Sequence, residues 1–143
     1  DRYVELMEQL TAAAKKWSAV PQIDEAEGRS LPRVQVSVKL TAFYSQFDPI
    51  DVEGSQAKTA ERARVLLRRA KELGAAVHFD MEQYRYKDAT LAALQTVLME
   101  PEFRDRSDIG ITLQAYLRDS YDDLKGVLGW LEKRGMPLTI RLV

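Results

Sequence analysis

Val34-Gln35-Val36-Ser37-Val38-Lys39-Leu40 decides the reading of this chain. Side chains of a strand point alternately to opposite faces, so the three valines and Leu40 share one face while Gln35, Ser37 and Lys39 share the other. The parity recurs downstream: His78 and Asp80 oppose Val77 and Phe79, Gly110, Thr112 and Gln114 oppose Ile109, Ile111 and Leu113, and Thr139 and Arg141 oppose Leu138, Ile140 and Leu142. Four apolar runs with one greasy face each, whose polar faces end in Lys39, Asp80, Gln114 and Arg141, describe neighbouring parallel strands. Helices cover their apolar side and their carboxyl ends gather chemistry, as in a βα barrel.

The intervening stretches supply the helices. Val4, Met7, Leu10, Ala14 and Trp17 form a stripe that ends before Pro21, and Gln22 to Pro32 reads as a polar loop. Thr41 to about Thr59, with Phe43, Tyr44, Phe47 and an Asp48-Pro49 turn, reads as a long connection suited to lining a pocket mouth. Ala63, Leu66, Leu67, Ala70 and Leu73 write a second helix that Gly74 ends in the left-handed conformation. A third helix runs from Lys87 to Met99. A fourth begins near Ser120, with Ser120 and Asp123 as a capping pair, and ends at Gly135. The strands are read as Val34–Leu40, Ala75–Asp80, Ile109–Tyr116 and Leu138–Val143. Strands alternating with helices of this length imply right-handed crossovers and a parallel sheet.

A full eight-unit barrel takes roughly 200–250 residues, and the chain has 143. The expectation is therefore an α/β, TIM-type (βα)8 barrel of which residues 1–143 are a part, about four βα units, with the remaining strands outside this chain. With 21 basic and 22 acidic side chains interspersed, no field favours nucleic acid. The absence of cysteine excludes disulfides and thiolate chemistry, and no apolar run approaches the length of a membrane span. A cytoplasmic chain is expected. One histidine, His78, with no ligand-spaced partners makes a poor metal site, so no metal is expected.

Val36-Ser37-Val38-Lys39-Leu40-Thr41-Ala42, Phe79-Asp80-Met81-Glu82-Gln83, Leu113-Gln114-Ala115-Tyr116 and Thr139-Ile140-Arg141-Leu142-Val143 resemble, in order and spacing, successive strands of proline dehydrogenase, and most of all the version inside the bifunctional bacterial enzyme proline utilization A. Each motif alone is weak, and their order is the specific signal. The resemblance implies strands two to five of an FAD-holding barrel. It further implies oxidation of L-proline to Δ1-pyrroline-5-carboxylate by hydride transfer to the flavin, the first step of proline breakdown to glutamate. In bifunctional relatives a second, NAD-dependent domain oxidises glutamate semialdehyde, and nothing in this sequence resembles that domain. A quinone electron acceptor, peripheral membrane contact and homo-oligomerisation of the parent belong to the same implication.

By the resemblance, Arg141 lies beside the flavin near the hydride-accepting nitrogen, where a fixed guanidinium stabilises negative charge. Gln114 offers its amide to the flavin ring edge. Lys39 holds the substrate carboxylate, and Asp80 organises the pocket by orienting basic groups, with Glu82 ranked below it. His78 reads as a hydrogen-bonded filler. Tyr44, Phe43, Phe47, Tyr84 and Tyr86 sit in strand-to-helix loops, while Trp17 and Trp130 read as packing. Other readings stay open: Arg141 paired with a surface carboxylate, Lys39 solvated or forming an imine as in barrel lyases, and the whole piece as a scaffold without catalysis. No GxGxxG or Walker sequence occurs, which speaks against a doubly wound dinucleotide domain here and not against FAD in a barrel.

Overall fold

The computed structural model describes residues 2–26, 28–39 and 52–143. In chain order the elements are α1 (Arg2–Ala14), a single turn α2 (Pro21–Asp24), β1 (Glu25–Ala26), β2 (Arg29–Ser30), β3 (Gln35–Lys39), α3 (Val52–Leu73), β4 (Ala76–Asp80), a 3-10 turn (Tyr84–Tyr86), α4 (Lys87–Leu98), β5 (Ile109–Leu113), α5 (Ser120–Arg134) and β6 (Thr139–Leu142). The strands β3, β4, β5 and β6 lie side by side in that order, each parallel to its neighbour. Each crossover passes through one helix, which is how a parallel sheet must be wound.

In β3 the alternation read from the sequence sorts the faces, whereas β4 up to Phe79 and the whole of β5 are buried on both. Val36 and Val38 are buried while Gln35, Ser37 and Lys39 are exposed. Val77, Phe79, Ile109, Ile111 and Leu113 join Leu66, Leu67, Leu94, Val97 and Val127 of α3, α4 and α5 in one apolar core. Removing each such side chain from water contributes about 1.5–3 kcal/mol, so the helices are held on this face by burial. Met7 and Ala14 bring α1 into the same cluster, and the Tyr3 hydroxyl accepts a hydrogen bond from the Lys39 amide at 3.3 Å. Gly74 and Gly135 end α3 and α5 with φ of +64° and +75°, a conformation that costs other residues a clash with their own Cβ.

Several sequence expectations shift. α1 stops at Ala14, and Trp17 stands beyond it, 50% exposed. Arg33 caps this helix instead, donating to the carbonyls of Ala14, Trp17 and Ser18 at 3.4, 3.0 and 2.6 Å. The expected loop over Gln22–Pro32 contains α2 and the small β1–β2 pair. α3 takes up Val52 to Thr59, which were read as loop; Leu40, Phe43, Tyr44, Phe47 and the Asp48-Pro49 turn lie outside the described residues. β5 ends at Leu113 and not Tyr116, because the Leu117 amide donates to the Gln114 carbonyl at 3.1 Å and turns the chain. The Ser120–Asp123 capping pair does not form: the α5 N-cap is Asp119, Ser120 Oγ donates to the Ala115 carbonyl at 3.2 Å, and Asp123 is engaged elsewhere. Leu142 shares the parity of Ile140 yet is exposed.

Candidate active site

Parallel pairing in register brings the polar faces together at the carboxyl ends of the strands. Lys39 stands opposite Asp80 across β3 and β4, and Thr112 opposite Arg141 across β5 and β6. Because side chains two apart share a face, Thr112 points to the same side as Gln114, just past the end of β5. Lys39, Asp80, Gln114 and Arg141 thus belong to one rim.

Asp80 is the hub. Its Oδ1 accepts from the Thr112 hydroxyl at 2.9 Å and from Nη2 of Arg141. A hydroxyl has one proton to give. Since Thr112 gives its proton to Asp80, the 3.1 Å contact between Thr112 Oγ1 and His78 Nε2 is donated by the histidine, which fixes the proton on Nε2. The order His78, Thr112, Asp80, Arg141 is a continuous line of hydrogen bonds along the polar face, from the buried His78 ring to the rim. Burial, then the nearby Arg141 charge, pushes the His78 ring below its ordinary range and outweighs the opposing pull of Asp80. The line also depends on a residue with no side chain: a Cβ on Gly110 would stand 2.1 Å from His78 Nδ1. Only glycine lets the ring lie flat against β5.

The second half of the rim centres on Glu82. Its Oε1 is 4.0 Å from Lys39 Nζ, its carbonyl accepts from Gln114 Nε2 at 3.3 Å, and its buried Oε2 has no hydrogen-bond partner among the described residues. Gln114 Nε2 also reaches the Tyr116 hydroxyl at 2.8 Å. A buried carboxylate oxygen without a donor is costly unless another group completes it, which marks the rim as a place where a polar ligand would be bound. The side chain of Lys39 is 58% exposed with a carboxylate as neighbour, whereas an imine-forming lysine is activated by an apolar pocket or a second cation beside it.

The sequence singled out Lys39, Asp80, Gln114 and Arg141, and these four are gathered at one end of the sheet. It missed Thr112 as the link between His78 and Asp80, and it underrated Glu82. Their signal was available, since both continue the polar parity of their strands. It missed Lys87 altogether: this lysine at the start of α4 is only 5% exposed, and a helix-terminal lysine in sequence looks solvated. Tyr84 and Tyr86 form the 3-10 turn after β4; Tyr84 bonds Asp119 at 3.0 Å and Arg85 covers the Tyr86 ring. Trp130 packs at the core edge. Among the described residues no group of three His, Cys, Asp or Glu side chains is placed to hold a metal ion.

Comparison with known proteins gives this rim a context. The family model described as proline dehydrogenase matches residues 1–143. The solved structure of proline utilization A from Bdellovibrio bacteriovorus, inactivated by N-propargylglycine, is 43% identical with a TM-score of 0.94 and is matched over 99% of this chain and 15% of its own. Proline utilization A from Corynebacterium freiburgense is 30% identical with a TM-score of 0.77, matched over 99% of this chain and 13% of its own. A mutant of the Bradyrhizobium japonicum enzyme, 21% identical with a TM-score of 0.80 over 99% of this chain and 13% of its own, shares the fold. This chain thus spans about 15% of the Bdellovibrio relative's length. No match was found among curated proteins.

Proposed function

The chain belongs to the proline dehydrogenase family, and from that membership we propose that its strand ends form part of an FAD-dependent site that oxidises L-proline to Δ1-pyrroline-5-carboxylate. The observation that carries the reading is the convergence of Arg141, Asp80, Gln114 and Lys39 on one rim of a parallel sheet. In this reading residues 1–143 are the central part of a TIM-type barrel whose other strands complete the wall, β3 to β6 being strands two to five. Four parallel strands in sequential order, with helices packed on the apolar face, support that geometry.

The residues present suit a flavin and an amino acid. A guanidinium and an amide on one rim match a ring edge that carries both acceptors and donors, and the Glu82 oxygen that has no partner among the described residues offers an acceptor to a ligand N–H or O–H. When bound, the flavin supplies the hydride acceptor. Arg141 is held by Asp80, which in turn is held by Thr112, so its positive charge is aimed before any substrate arrives and costs no reorganisation during reaction. Gln114 is steadied by the Glu82 carbonyl and the Tyr116 hydroxyl, and thereby presents its amide in one orientation. Lys39 lies across the strand pair from Asp80 and supplies the cation that holds a substrate carboxylate. Electrons then pass to a quinone-class acceptor, reached by peripheral contact with a membrane; no described helix is long and apolar enough to cross one. A second, NAD-dependent oxidation would reside in a separate domain of a bifunctional parent.

The test is proline-dependent dye reduction by the flavin-loaded enzyme and its Arg141→Met variant. Turnover is expected to fall on the order of 10²–10³-fold, as when one preorganised electrostatic donor is removed. The guanidinium is half exposed, so the unfolding midpoint should scarcely move. Unchanged turnover in the variant refutes the role of Arg141, and an unaltered protein that binds no FAD refutes the function.

A further inference from the structure

Outside the rim lies a second ionic cluster that the proposed chemistry does not use. Lys87 Nζ donates to Asp119 Oδ2 at 2.9 Å, to both oxygens of Asp123 at 2.7 and 2.6 Å, and pairs with Asp88 at 3.1 Å. The Tyr84 hydroxyl donates to the same Asp119 Oδ2 at 3.0 Å, and the ammonium stands 5.6 Å from the centre of the Tyr84 ring. Burial works against the charge of Lys87, yet the bonds to Asp119, Asp123 and Asp88 outweigh it, and the ammonium is held above its ordinary range. Asp119 is correspondingly held below the usual carboxylate range by its bond to Lys87. The lysine is charged at every working pH and fully partnered.

Its position gives the cluster a purpose. Lys87 and Tyr84 belong to the segment that follows β4, and Asp119 and Asp123 to the segment that follows β5. These two segments also carry the neighbouring rim residues Glu82 and Gln114, which meet through the 3.3 Å bond from Gln114 Nε2 to the Glu82 carbonyl. Two loops joined at one point can pivot about it freely; a second junction removes most of that freedom. Between Gln114 and Asp119 the chain is drawn tight, with Leu117 N bonded to Gln114 O, Ser120 N to Leu117 O and Ser120 Oγ to Ala115 O. A displacement of Asp119 is therefore transmitted to Gln114 with little slack.

We infer that Lys87 is a positioning residue: by clasping Asp119 and Asp123 it locks the loops after β4 and β5 against each other and so fixes the Gln114 amide where it meets the flavin. This rests on the flavin reading given above. No atom of Lys87 needs to touch cofactor or substrate, and its effect passes through Gln114 alone.

A double-mutant cycle in the full-length enzyme tests the coupling, read as the Kd of the apo-protein for FAD by flavin fluorescence. Lys87→Met should raise that Kd about tenfold, within the range over which members of one hydrogen-bond network couple, and should alter the visible flavin band. Placed on Gln114→Ala, the same change should add no further rise. Arg68→Ala, which breaks an exposed ion pair with Glu102 remote from the rim, should leave the Kd unchanged. If Lys87→Met fails to fold, Tyr84→Phe removes one arm of the clasp at an exposed residue, with a smaller rise that must likewise vanish on Gln114→Ala. An FAD affinity equal to that of the unaltered protein, or a loss that adds in full to that of Gln114→Ala, overturns the inference. Failure of the unaltered protein to take up FAD is a different result, and it overturns the function as well.

Discussion

At the amino ends of the strands, Arg33, Arg106 and Arg134 aim their guanidinium groups mainly at backbone carbonyls; at the carboxyl ends, Lys39, Asp80 and Arg141 face other side chains. Arg134, 2% exposed, donates to the carbonyls of Leu98, Phe103, Arg106 and Pro137. Arg106 reaches the carbonyls of Leu67 and Ala75 and both oxygens of Asp108. Each arginine precedes a strand and ties it to the end of a helix or a loop. The bonds of the buried Arg106 and Arg134 form on folding and are shielded from competing partners, while those of Arg33 stand at the surface. At the other rim the partners are short side chains at a half-exposed surface, Arg141 being 47% exposed, where a ligand can compete for a charge at modest cost. Stability is concentrated at the amino ends and exchangeable charge at the carboxyl ends, the division expected of barrel enzymes.

The sharpest way to break this comparison is to interchange its predicted costs. Arg134→Met takes this donor from three buried carbonyls and from the partly buried Pro137 carbonyl, and should lower the unfolding free energy in urea titration by about 1–3 kcal/mol for each carbonyl left unsatisfied, with the FAD affinity of the folded fraction unchanged. Burial pulls the Arg134 guanidinium below its ordinary range against the opposing pull of Asp105 and Asp108, and its hydrogen bonds go to backbone carbonyls. If Arg134→Met unfolds at the same urea concentration as the parent while Arg141→Met does not, the division is wrong.

Gly110→Ala joins the two ends, since its new Cβ would collide with the His78 ring. Overpacking of this kind costs about 1–3 kcal/mol, and pushing His78 aside also breaks the line to Asp80. We therefore expect a lowered unfolding midpoint together with weakened FAD binding. A loss of stability alone would mean that His78 does not steady the rim.

The smallest effect is a pH dependence. His78 titrates lower in the folded protein than its ordinary 6.5, so between the folded and unfolded values the unfolded chain binds more protons and stability rises with pH. The contribution is complete above about pH 6.5 and is lost as pH falls through the lowered folded value. Denaturation followed from pH 7.5 to 5 should show this slope, and His78→Gln should flatten it. A slope that persists unchanged in the variant assigns it to other groups.

Much of this could be read in the chain itself, for a physical reason. Strand parity is a local property, and burial of Val36, Val38, Val77 and Phe79 beside exposure of Lys39 follows from it directly. Helix ends at Gly74 and Gly135 are likewise local, because a positive φ selects the residue. What escaped depends on partners distant in sequence. Lys87 is buried only because Asp119 and Asp123 arrive from the next βα unit, and Asp123 leaves its expected capping role for the same reason. Ion pairing across units has no periodicity to betray it. The start of α3 at Val52 escaped because its first turns carry few apolar residues and so show no amphipathic stripe.

The in-register ladder makes sequence position behave like an address. Each functional group is delivered to the rim by counting hydrogen-bonded rungs, and Arg141 reaches Asp80 because Thr139 pairs with Gly110 and Ile140 with Ile111. A single inserted residue that slipped β6 by one rung would leave the composition almost intact yet send the guanidinium into the helical layer and offer Ile140 to the rim. A strand in such a ladder therefore tolerates a change of length only in steps of two.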